Sequence, residues 1–147
     1  MPAQAPLTEP VAFRYAKPEV IKDKTIVRLC RSDIVSASVQ VISHGGENNL
    51  HAHTAQDGVW MVLKGHATFY GEGDVIVAEL HANDGVLIPR GFKYWFESSS
   101  PEVLEILHLA STDKTVSNQR IDLTPRVAGR AANSPDNLDE YTNTLKR

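Results

Sequence analysis

A single cysteine, Cys30, stands among 147 residues. No internal disulfide can form, so packing and hydrogen bonding must hold the chain together. Cys30 lies in the apolar stretch TIVRLC. A thiol there is expected to be a small buried hydrophobe, because a reactive one needs electropositive, partly exposed surroundings. Long apolar runs are lacking too. VWMVL and VLEILHLA fall far short of the roughly 20 residues that cross a bilayer. The opening MPAQAPLTEP has neither a basic start nor an apolar stretch, so no secretion signal is expected. Excess positive charge is also missing. Fifteen Lys and Arg against eighteen Asp and Glu leave a net charge of -3, and no basic field exists to hold nucleic acid or an anionic membrane. The expectation is a cytoplasmic protein whose partner is a small molecule.

What is present reads as strands and turns. TIVRLC, SASVQVIS, GVWMVLK, ATFYG, DVIVAEL, GVLIP, KYWFES and EVLEILHLA are short and rich in Val, Ile, Leu and aromatics. Gly, Pro, Asn, Asp and Ser clusters separate them. GEGD, between ATFYG and the following apolar run, suits a hairpin turn because glycine tolerates positive φ. No segment holds a 3.6-residue period long enough to be a helix. Many short strands at regular spacing argue for an all-β sandwich or barrel. The chain divides into an extended N-terminal segment (residues 1–25), a barrel (26–111) and a polar C-terminal extension (112–147). In that extension IDLTPRV looks able to pair. DNLDEYTNTLKR could form a short helix capped by Asp136 or Asn137.

His51 and His53 flank Ala52. In a strand, residues two apart share a face, so both imidazoles point together. Two imidazoles supply half of a common metal site, which usually needs a third ligand and open positions. With its flanking glycines, the pair resembles the first motif of the cupin superfamily, G-x5-H-x-H-x(3,4)-E-x6-G. Gly45, His51, His53, Gly58 and Gly65 stand at those positions. The second cupin motif is G-x5-P-x-G-x2-H-x3-N, and Asn83, Pro89, Gly91, Tyr94 and Ser98 stand at its positions. The resemblance covers roughly residues 26–110. It implies a double-stranded β-helix, a jelly-roll-like barrel, and commonly a homodimer. The continuous apolar strand VWMVL suits a sheet covered on both faces, as such a dimer would need.

Two departures matter. The family's metal site uses both histidines of the first motif, its glutamate and the second-motif histidine. Here Gly58 replaces the glutamate and Tyr94 replaces the histidine. His51 and His53 remain as candidate metal ligands for iron, manganese, nickel, copper or zinc, and no organic cofactor is expected. Several residues could restore a third ligand. Asp57 adjoins the lost position but would point away in a regular strand, unless a bulge re-aims it. Gln56 has the right parity but is a weak neutral ligand. Tyr94 could bind as a phenolate, though with a free pKa near 10 it needs help to ionise. His108 shares a face with Leu104 and Ile106 in EVLEILHLA. Both faces of that strand are largely apolar, so its direction stays open.

Parity also gathers Trp60, Phe92 and Phe96 with His51, His53 and Tyr94 into a candidate aromatic pocket, suited to a flat organic molecule. The same aromatics could equally fill the barrel core. Three functions fit. One is a metal-dependent oxygenase or related enzyme using His51, His53 and a non-standard third ligand. Another is a metal-free isomerase or lyase with histidine and Tyr94 as base and acid. The last is a non-catalytic small-molecule binder.

Overall fold

The computed structural model describes residues 4–19, 23–43 and 49–124, and the backbone of residues 138–142. Gly45 of the first motif, Asp136, Asn137 and the PRV of IDLTPRV lie outside the described residues.

Eleven strands are described: β1 Lys24–Arg31, β2 Val35–Ile42, β3 His51–His53, β4 Gln56–Lys64, β5 Ala67–Tyr70, β6 Ile76–Leu80, β7 Gly85–Ile88, β8 Trp95–Ser98, β9 Leu104–Thr112, β10 Arg120–Asp122 and β11 Leu138–Thr142. All eight expected strands are present with small shifts at their ends. One large sheet runs in the order β11-β1-β2-β9-β4-β7, and smaller sheets run β6-β5-β8 and β10-β3. A bridge between His51 and Tyr94 ties β3 to the start of β8, so the two smaller sheets form a second layer. The result is the all-β, jelly-roll-like sandwich that the strand pattern implies. GEGD holds a single 3-10 turn at Glu72–Asp74, with Gly73 at φ 68°. Among the described residues, no helix is long and apolar enough to cross a membrane.

Alternation along each strand builds the core. On β4, Gly58, Trp60 and Val62 are buried while Val59 and Leu63 are exposed. On β9, Leu104 and Ile106 join Trp60, Val62, Phe69, Phe96 and Ile42 in one apolar cluster between the layers. Val27, Leu29, Ala37, Val39 and Val41 form a second cluster on the outer face of β1 and β2. The N-terminal segment reaches that face through one side chain. Its Tyr15 packs on the second cluster and donates a hydrogen bond to the buried Glu105 carboxylate. Burial, then that bond, pushes the Tyr15 phenol well above its usual pKa.

The tail departs from expectation. In place of a terminal helix, Leu138–Thr142 forms a strand parallel to β1. An open sheet edge offers a row of unpaired backbone groups, and pairing with it outweighs a weak local helix preference. Arg120–Asp122 pairs antiparallel with the histidine strand.

Candidate functional site

β3 sets the two histidines where the layers meet. His51 is 2% exposed, and its ring centroid lies 5.2 Å from that of His53 and 4.5 Å from that of Tyr94. The His51 Nδ1 lies 2.7 Å from the Asn49 carbonyl. A carbonyl only accepts, so the proton sits on Nδ1 and Nε2 keeps its lone pair. Burial, then the Arg120 charge, pulls the His51 imidazole down to about 3. His53 is lowered by the same causes in the same order. Burial also pushes the Tyr94 phenol up to about 12. The Trp60 indole lies near the Tyr94 hydroxyl and opposes that rise, without reaching hydrogen-bond geometry. Tyr94 is therefore a neutral phenol at neutral pH.

The direction of β9, open in the sequence, is settled by register. Trp60 on β4 pairs with His108 on β9, and their rings stack at 3.8 Å. His108 therefore shares the inner face with Leu104 and Ile106. Burial, then His53, pulls its imidazole down to about 3. Its Nε2 is buried without a hydrogen-bond partner, and so is the Trp60 Nε1. Both face the side chain that Gly58 lacks: a Cβ there would stand 3.1 Å from His108 Nε2 and 3.5 Å from Trp60 Nε1. The vacated glutamate position is thus a cradle bordered by two unsatisfied nitrogens.

Other candidates fall elsewhere. Asp57 points to the outer face, because the strand is regular at that point, and Arg90 holds it at 3.1 Å. Trp60 and Phe96 are 2% and 0% exposed and belong to the core beneath the site. Phe92 stands at the rim, lining a cavity of about 10 Å³ with His53, Gly58, Pro89 and Tyr94. That holds about one water molecule, not a flat aromatic ring as the parity argument anticipates. A wider cleft of about 170 Å³ adjoins it, sharing Gln56 and lined by Arg28, Arg31 and Asn118.

Three residues that carry no recognisable motif support the pair. Asn49, 2% exposed, donates to the Asp122 carboxylate and the Thr124 carbonyl at 2.8 Å each. Arg120 donates through Nη2 to Asn49 at 2.7 Å and through Nε to Asp122 at 2.9 Å. In the sequence, IDLTPRV marks a segment able to pair but does not name its partner.

A metal would need its ligands to converge. His51 Nε2 is free and neutral, as a ligand should be. Yet among the described residues no three His, Cys, Asp or Glu side chains come together to hold an ion. Asp57 faces outward, held by Arg90. The residues as arranged do not fit a three-ligand metal site.

Residues 38–110 match the Cupin domain family. The chain belongs to the cupin superfamily. Solved cupins share the fold at low identity. The Cnp3 cupin domain of Schizosaccharomyces pombe has a TM-score of 0.56 at 15% identity, over 61% of this chain and 65% of that one. This cupin therefore spans somewhat less than two thirds of that chain. An RmlC-like cupin from Desulfovibrio desulfuricans has a TM-score of 0.56 at 14% identity, over 67% and 94%. A double-stranded β-helix protein from Klebsiella pneumoniae has a TM-score of 0.56 at 17% identity, over 74% and 84%. No curated protein matches the sequence.

Proposed function

We propose that this cupin binds a small polar organic molecule over Gly58, by hydrogen bonds to neutral imidazole, phenol and indole groups. The observation that carries this reading is the pair of buried nitrogens, His108 Nε2 and Trp60 Nε1, with no partner beside the missing side chain. A buried polar group left unsatisfied costs about 1–3 kcal/mol. A ligand hydroxyl oxygen placed there meets both. His53 and Tyr94 border the same cavity, and the adjoining cleft gives the rest of the molecule room.

The same chemistry ranks the alternatives. A histidine held near 3 is a weak base at neutral pH, whereas an efficient general base titrates near the working pH. Proton abstraction by His51 or His108 is therefore disfavoured. Stabilising charge on a bound oxygen is the catalysis these donors support. One observation favours metal-dependent chemistry instead: His51 is oriented through Nδ1 with Nε2 free, as ligating histidines are. His108 would have to move to complete that site.

A screen of small hydroxy and carbonyl compounds, read by imidazole 15N NMR, tests the proposal. Binders are expected to shift His108 Nε2, and Gly58→Ala should abolish their binding. A ligand that binds the Gly58→Ala protein equally well and leaves His108 unmoved would place the site elsewhere.

A further inference from the structure

Arg120 has no role in the fold's first layer, yet it stands beside the site. β10 pairs with β3 so that Arg120 is opposite His53 and Asp122 opposite His51. Paired residues on neighbouring antiparallel strands share a face, so the guanidinium lies on the side of His53. Its position is fixed: Nε is committed to Asp122 and one Nη2 proton to Asn49. That uses the side edge of the fork. The end edge, Nη1 with the second Nη2 proton, has no partner among the described residues. The Arg120 side chain is 30% exposed, so this edge is accessible.

Charge agrees with geometry. Arg120 is the second-largest influence on both His51 and His53, ahead of the opposing Asp122 at each. It acts on Tyr94 as well. Its ion pair with Asp122 therefore does not cancel its field at the mouth. Arg28 and Arg31 line the adjoining cleft together with Asp33, which is paired to Lys114.

We propose that Arg120 is a specificity residue that receives a carboxylate, end-on and bidentate, so that the molecule taken by this site is a small carboxylic acid anion. Two parallel N–H donors match the two oxygens of a planar carboxylate. Asn49 and Asp122 act as positioning residues that aim the fork. The proposal rests on the small-molecule site described above and adds its ligand class.

Propionate, propionamide and inorganic phosphate serve as probes, with affinity read from imidazole 15N shifts of the full chain. Propionate is expected to bind at least about tenfold more tightly than propionamide, the difference that one charge-assisted contact supplies. Arg120→Gln should remove that preference, weakening propionate to about the affinity of propionamide. The wild-type comparison stands even where the variant folds poorly. Arg120→Lys keeps the charge but loses the fork, so it should recover only part of the preference. Equal binding of propionate and propionamide, both shifting His108, would overturn the role of Arg120 and leave the site intact. Tighter binding of phosphate than of propionate would overturn the carboxylate class. No shift at His51, His53 or His108 with any probe would overturn the site itself.

Discussion

At the residue scale, the decisive feature is a glycine beside two buried nitrogens. Adding a methyl at Gly58 brings a Cβ to 3.1 Å from His108 Nε2. The ring is stacked on Trp60 and has little freedom to yield. Overpacking of this kind costs about 1–3 kcal/mol, so Gly58→Ala should lower the urea midpoint with little change in slope. The histidines predict a pH dependence as well. His51 and His108 fall from 6.5 to about 3 on folding. Above about 6.5 both states are neutral and this contribution is fully present. As pH falls from 6.5 toward 3, the unfolded chain takes up protons that the folded protein refuses, so stability drops by about 1.4 kcal/mol per pH unit for each group. Thermal melts at pH 7 and pH 4.5 should show that loss, and His108→Phe should reduce it.

At the scale of elements, β10 is the support on which the histidine strand leans. Asn49→Ala removes a buried side chain that donates to Asp122 and Thr124 and accepts from Arg120. Losing these bonds around a buried side chain should cost about 1–3 kcal/mol. Amide exchange at Arg120 and Ile121 should speed up before exchange in β4 or β9 changes. The legibility of these elements in the sequence differs for physical reasons. β4 and β9 announce themselves through apolar alternation, and β5 to β6 through the glycine turn. The histidine pair is legible because its spacing puts both rings on one face. The direction of His108 was not, because both faces of EVLEILHLA are apolar and only the register with Trp60 decides. Nor was β10, since an exposed three-residue strand carries no core pattern. Its partner is fixed by a contact some seventy residues away along the chain. The terminal helix expected near Leu138 gave way to β11 for the same reason, a sheet edge that local sequence does not reveal.

At the scale of the whole molecule, the large sheet has an uneven outer face. Tyr15 of the N-terminal segment packs on the part around β1 and β2. Val59, Leu63, Leu87 and Leu109 remain 37–57% exposed on β4, β7 and β9. Contiguous apolar surface of this kind suits association, and a homodimer is the proposed partner. Light scattering should give two copies per particle, and Val59→Lys with Leu87→Lys should give monomers that keep the wild-type circular dichroism. Ligand binding over Gly58 is expected to survive that change, because the cavity opens on the inner face. The most direct test of a hydrogen-bonding mouth is metal retention. The protein is incubated with excess iron(II), manganese, nickel, copper or zinc, dialysed, and assayed for bound metal while the imidazole 15N spectrum is recorded. The expected result is no stoichiometric metal and unmoved His51, His53 and His108 resonances. One metal per chain, lost in His51→Ala and in His108→Ala, would contradict it.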